Sequence, residues 1–308
     1  MMDQRLGRRA FAGAAVLALA GCDLQKDRDP RNAAGETALC QVVTHGYSLA
    51  DDLRESSGVA ESRRHPGVYW SHNDSGRDPD LFAVGSDGRH LGKLKVTGAQ
   101  NHDWEDIADG PCPDGGATCL YIADTGNNER KRETVSLWVF PEPEPGDGAT
   151  PKATEYKARW PGEPMDVEAI FVLGDGRVYL VSKGSGKDPI ALIRWPTPLR
   201  AGAEATLEQV RQLAPNPGQV GDRVTSASAT PDGRWVAVRT YAALDFYRTA
   251  DLLGTGGPFA QFDLDPVAEP QGEAVAMDDN GNVVLTSEGP GKHLPGTISQ
   301  LRCMLPRE

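Results

Sequence analysis

No run of apolar residues after the N-terminus approaches the length of a membrane-spanning helix, so a helical span is excluded there. Helical periodicity is weak throughout. Only AEATLEQVRQLA (203–214) could form a helix, and it reads better as a strand with flanking loop. No CxxC and no alternating Cys/His spacing occurs, which removes a structural zinc site. The absence of GxSxG leaves a serine hydrolase of the familiar kind without support. GSGKD (184–188) lacks the spacing and the following Ser/Thr of a phosphate-binding loop. DDNGN (278–282) and PDGR (231–234) are hairpin turns by composition rather than calcium loops. Ser75 in NDSG has no base placed against it by any readable pattern. Basic residues are in deficit, with 32 Lys and Arg against 44 Asp and Glu and a formal charge of -12, which argues against a nucleic-acid partner.

What is present begins with MMDQRLGRRAFAGAAVLALAGC, a positively charged start, a short apolar stretch and a small-residue cleavage site, hence a secretory signal over residues 1–21. Leu19-Ala20-Gly21-Cys22 resembles the lipobox of bacterial lipoproteins, which implies diacylglyceryl attachment at Cys22 and a lipid bilayer as partner. Arg8-Arg9-Ala10-Phe11 resembles a twin-arginine core, although two arginines also suit an ordinary basic n-region. Residues 22–39 are polar and without periodicity and read as a tether. The expected location is therefore outside the cytoplasm, anchored to a cell membrane and facing the periplasm or the cell exterior. Asp23 after the lipidated cysteine resembles an inner-membrane retention signal in enterobacteria, a rule that varies between groups and leaves the final membrane open. Loss of the signal removes three arginines and one aspartate, so the mature chain is two units more negative.

Four further cysteines remain in an oxidising compartment. Cys112 and Cys119 flank the turn PDGGAT and are expected to bridge a local hairpin. Cys40 is then left with Cys303, tying together the two ends of one domain over residues 40–308.

Self-comparison finds a unit repeated five times, each a short first strand, a turn and an apolar second strand ending in polar residues and Gly. The copies are ESSGVA with GVYWSHNDSG, DWEDIAD with CLYIADTGNN, DVEAIFV with GRVYLVSKGSG, TSASATPDG with RWVAVRTY, and GEAVAMDDNG with NVVLTSEGPG. Glu55, Glu105, Glu168, Thr225 and Glu273 take the equivalent starting position, allowing short insertions in the first two copies. Two more strand candidates follow each pair, which makes the four-stranded blade of a β-propeller. The last copy has only TISQLRC left, so QVVTHGYSLA (41–50) is expected to complete it and close the ring. That pairing makes Cys40 and Cys303 neighbours. The expected fold is all-β, a propeller of five four-stranded blades. A sixth, degenerate blade could lie within 141–165 or 196–223, and a β-sandwich of short strands is the other reading.

In a propeller, the start of each first strand and the end of the second open on one face. Glu55, Glu105, Glu168 and Glu273 should therefore circle one mouth of the channel, joined by Asp74, Asp124 and Glu288 from second strands and by Asp103 and Asp166 from preceding loops. So many carboxylates raise one another's pKa unless a cation neutralises them. All-oxygen donors suit Ca²⁺ before Mg²⁺. A Glu repeated in nearly every blade also fits an architectural role, accepting backbone N–H groups of the next blade. His72, Asn73, His102, Asn128, Lys183 and Arg239 are expected to contribute ligand contacts at the same mouth. Trp70 and Trp104 could flank the opening or pack between blades.

NDSG, DWEDIA, YIADTGNN, DVEAIF and EAVA together resemble a family of bacterial secreted or lipid-anchored propeller proteins that mostly carry no assigned function. The chain is more distantly similar to phytase-like propellers, whose acidic, calcium-loaded faces act on phosphate esters. The first likeness covers residues 50–303 and the second rests on general texture. A phosphate-ester enzyme should present several basic residues beside its metals, and only Lys183 and Arg239 are expected here. The leading expectation is a membrane-tethered, monomeric propeller binding Ca²⁺ and a small-molecule or protein ligand. A metal-dependent phosphoesterase and a passive scaffold are the alternatives.

Overall fold

The computed structural model describes residues 39–291 and 293–306. The signal peptide, Cys22 and the tether up to Ala38 lie outside the described residues. Among those described, no helix is long and apolar enough to cross a membrane.

The chain forms five antiparallel blades. Blade one comprises Ser56–Glu61, Val68–Asn73, Asp80–Gly85 and His90–Lys95, with Gly148–Ala149 added at its outer edge. Blade two comprises Trp104–Pro111, Thr118–Asp124, Thr134–Pro141 and Thr154–Arg159, with Glu204–Thr206 at its edge. Blade three runs Val167–Val172, Val178–Ser182, Ile190–Trp195 and Glu208–Ala214, and blade four Val224–Ala229, Trp235–Thr240, Ala243–Arg248 and Ala260–Asp263. Blade five takes Gln271–Met277, Asn282–Glu288 and Thr297–Cys303 from the end of the chain and Cys40–Ser48 from its beginning. Among the described residues no sixth blade forms, because the two Pro/Gly-rich segments supply the outer strands of blades two and three and the edge strands of blades one and two. The segment with weak helical character becomes two strands, Glu204–Thr206 and Glu208–Ala214.

Each second strand is apolar because it is covered on both faces by its neighbours. Val178–Ser182 is buried at every position. The core accordingly divides into five clusters, one between each pair of adjacent blades. Trp70 meets Trp104 and Trp138 between blades one and two, and Phe82 meets Val284 and Ile298 between five and one. The seam of the ring is thus a core like the other four. Cys40 sits opposite Cys303 in register and is bonded to it, and Cys112 is bonded to Cys119.

Candidate functional site: the acidic mouth of the channel

The first strand of every blade slips by one residue against its second strand near its start. Pairing passes from Ser56 to Gly58, from Trp104 to Asp106, from Val167 to Ala169, from Val224 to Ser226 and from Gly272 to Ala274. A bulge leaves one residue unpaired and re-aims its side chain. The five bulged residues are Ser57, Glu105, Glu168, Thr225 and Glu273. Glu55 is therefore not the blade-one member of this ring, because the register gives that place to Ser57. Glu55 instead bridges to Glu288 and takes Arg77 Nε on its carboxylate at 2.7 Å.

All five ring residues are between 1 and 7 % exposed, so three carboxylates are withdrawn from water in one place. Glu105 stands at the junction of two triads. Oxygens of Asp74, Asp103 and Glu105 lie within 4.8 Å of one another, and so do oxygens of Glu105, Asp166 and Glu168. Two oxygens each about 2.4 Å from one Ca²⁺ can be no further apart than roughly that. Gly126 makes the crowding possible, since a Cβ there would collide with the Glu105 and Asp103 carboxylates. Lys183 Nζ reaches Glu168 Oε1 at 2.6 Å, and Gln271 donates to Glu273 Oε1 at 2.7 Å. Thr225 Oγ1, at another ring position, is buried without a hydrogen-bond partner.

The electrostatics follow from this. Burial, then the neighbouring Glu168, Asp74 and Asp103 carboxylates, push Glu105 well above the usual carboxylate range. Burial also raises Glu168, with Asp166 adding to it and Lys183 opposing. Burial first, and the Glu168 and Glu288 charges after it, push Glu273 up to about 8. Asp74 rises to about 6, through burial and the charges of Asp103 and Glu55 against a bond from the Ser75 N–H. Asp103 and Glu288 shift upward as well, mainly through burial. Lys183 goes the other way from a desolvated lysine: burial alone would lower it, but Glu168 outweighs burial and holds it protonated.

Several residues expected here stand elsewhere. Asp124 is fully buried and committed: it accepts from Arg132 at 2.8 Å, the Asp103 N–H at 3.2 Å and His102 Nδ1 at 3.2 Å. Its task is to hold the 101–103 loop, and the imidazole of His102 rests on it from the solvent side. His72 is inaccessible in the seam between blades one and two, edge-on to Trp104 at 5.5 Å, and burial lowers its pKa to about 4. Asn73 accepts the backbone N–H groups of Arg54 and Glu55 at 3.0 Å each, ordering that loop. Asn128 is exposed. Arg239 is completely buried, paired with Glu269 and donating to the Ala274 carbonyl at 2.6 Å, so it crosses between blades four and five.

The sequence reading also missed residues. Tyr241 follows the second strand of blade four, close enough to feel the charges of Glu273, Lys183 and Glu168. Asp106, directly after Glu105, has no exposure at all and accepts from the Ile107, Ile170 and Ala227 N–H groups and the Ser226 hydroxyl at 2.9 to 3.2 Å. First strands turn an unpaired edge toward the channel, and those donors must be satisfied. Asp106 does so for blades three and four, and Ser226 Oγ takes the Val275 N–H of blade five at 3.1 Å.

No family model and no curated protein matches this chain. Among solved structures it is similar to the PQQ-bound form of aldose sugar dehydrogenase from Streptomyces coelicolor, at 13 % identity and TM-score 0.49 over 86 % of this chain and 98 % of that one. A streptogramin B lyase is similar at 10 % identity and TM-score 0.44, over 87 % and 100 % of the two chains. A luciferin-regenerating enzyme is similar at 11 % and 0.47, over 86 % and 96 %. At these values no substrate or chemistry carries across.

Proposed function

We propose that this protein is a lipid-anchored propeller, exported through its signal and held by Cys22 to a cell membrane, whose acidic mouth binds a divalent cation, Ca²⁺ before Mg²⁺, and through it a ligand. The observation that supports it is the pair of carboxylate triads sharing Glu105 within 4.8 Å. The donors are hard oxygens, and the close spacing that Gly126 permits would be repulsive without a cation or protons to neutralise it. Asp74, Asp103 and Glu105, with Asp166 and Glu168, are the residues that would hold the ion. A bound Ca²⁺ supplies a positive centre with coordination positions left for ligand oxygens. Lys183 is kept charged by Glu168 and adds a second positive group on the same face.

The scaffold reading asks the ring glutamates to accept backbone N–H groups of neighbouring blades. Among the described residues that task falls to Asp106 and Ser226, while Glu105, Glu168 and Glu273 have no backbone donor. The phosphoesterase reading loses one of its two basic residues, because Arg239 is committed to Glu269.

Metal analysis of the purified protein, with melting temperature followed with and without EDTA, tests the proposal. Bound Ca²⁺ and a lowered melting temperature after chelation are expected. A protein that carries no divalent ion and melts identically in EDTA overturns it.

A further inference from the structure

The chain enters the propeller on the face opposite the acidic mouth. Second strands end at the mouth and begin at the far face, where Trp235 opens that of blade four and Asn282 that of blade five. Asn282 is paired with Arg302 and Cys303 with Cys40, so Leu39, whose carbonyl accepts the Met304 N–H at 2.8 Å, lies at the far face.

The surface beside this point carries exposed apolar side chains. Phe259, 47 % exposed, stands edge-on to Trp235 with ring centroids 5.2 Å apart, and the Trp235 indole donates to the Pro306 carbonyl at 3.1 Å. The Arg248 guanidinium lies over both rings, 5.0 Å from the Trp235 centroid and 5.4 Å from that of Phe259. Met304, next to the Cys40–Cys303 bond, is 53 % exposed. Charge nearby is balanced rather than basic: Arg234 is paired with Asp232 at 2.6 Å, and Asp278 and Asp279 stand in the turn before Asn282. Apolar contact is therefore what this face has to offer.

A half-exposed aromatic ring under a stacked guanidinium suits a membrane–water interface, where the ring sits at the headgroup level and the cation stays hydrated. The opposite face is unsuited, because the carboxylates gathered at the mouth repel anionic headgroups. Sixteen residues separate Cys22 from Leu39, so an acyl anchor on Cys22 lies within about 60 Å of this face. A link of that length raises the effective concentration of bilayer enough to populate a contact too weak to form alone.

We propose that the face bearing Phe259 and Met304 rests on the lipid bilayer, so that the acidic mouth points away from the membrane. The inference rests on the anchoring at Cys22 proposed above and deepens it by naming the surface that meets the lipid.

Fluorescence quenching by phospholipids brominated in their acyl chains tests it, with the mature full-length protein on vesicles of phosphatidylethanolamine and phosphatidylglycerol. Phe259→Trp and Met304→Trp place reporters on the far face, and Val220→Trp places one on the mouth side, just before the first strand of blade four; all three positions are exposed. The emission added by the two far-face variants is expected to be quenched at least about twofold more than that added by Val220→Trp. Phe259→Asp introduced beside Met304→Trp should remove most of that difference. Equal quenching at the three positions, stronger quenching of Val220→Trp, or no quenching at any of them overturns the proposal. Unquenched far-face reporters in a protein that sediments as a dimer, and as a monomer after Phe259→Asp, give the patch to a second copy of the chain and overturn it as well. If mass spectrometry finds no acyl chain on Cys22, the anchoring reading falls by itself, and the same comparison with the Cys22 thiol coupled to a maleimide lipid decides the face.

Discussion

Glu105 and Asp106 are adjacent in sequence, equally withdrawn from water and raised in pKa by burial, yet they sit in opposite chemical situations. Asp106 accepts from four donors drawn from three blades, so its burial is compensated and it joins the blades across the channel. Glu105, aimed the other way by the bulge, meets other carboxylates and no backbone donor. A buried acid bonded by backbone donors builds the fold, whereas a group of carboxyls bonded only by side chains and by one another leaves its oxygens free to rearrange.

The contrast can be broken from either side. Asp106→Ala should have the largest effect, since it strands the Ile170 and Ala227 N–H groups inside the channel; a loss of about 3–5 kcal/mol is expected in urea unfolding. Ca²⁺ binding per folded molecule should survive it. Gly126→Ala should do the reverse, lowering Ca²⁺ affinity by about a hundredfold in calorimetric titration as the new Cβ displaces the Glu105 and Asp103 carboxylates, an effect worth about 2.7 kcal/mol at the site.

Glu105→Gln sharpens the point because its two effects have opposite signs. Ca²⁺ affinity should fall more than tenfold, while the metal-free protein should melt at a higher temperature once the mutual repulsion is removed. A lower metal-free melting temperature would mean that Glu105 is a structural group.

The pH dependence follows from the raised carboxylates. A folded-state pKa above the unfolded value means that the folded protein binds more protons, so stability falls as pH rises. In EDTA, the melting temperature should decline from about pH 4.5, where the unfolded glutamates titrate, to about pH 8, the folded value of Glu273, with Asp74 contributing near 6. Saturating Ca²⁺, which binds the ionised carboxylates, should flatten or reverse that slope. The smallest effect belongs to His102→Ala, a change of less than about 0.5 kcal/mol with Ca²⁺ binding intact, because that ring is mostly exposed and only rests on Asp124.

Much of the fold was legible in the sequence because it is written in a repeat. Alternating polar and apolar stretches mark the blades, and the missing last strand pointed to QVVTHGYSLA and so to the Cys40–Cys303 bond. The site was harder to read, because its geometry is set by a backbone slip that no residue type announces. Counting along the strand put Glu55 in the ring, whereas the bulge puts Ser57 there. Side-chain direction was also hidden. Asp124 and Arg239 end their strands as expected, but one turns back to its own loop and the other into the neighbouring blade. Asp106 could have been found only by asking which group satisfies the inward edges of the first strands.

Anomalous diffraction from crystals soaked in Mn²⁺, a heavier hard cation for the same oxygens, shows whether the mouth holds an ion. A peak within coordination distance of a Glu105 oxygen, lost on back-soaking into Ca²⁺, is the predicted result. A mouth without density at saturating metal, with the Glu105 carboxyl bonded to Glu168 and Glu168 held by Lys183, would contradict it.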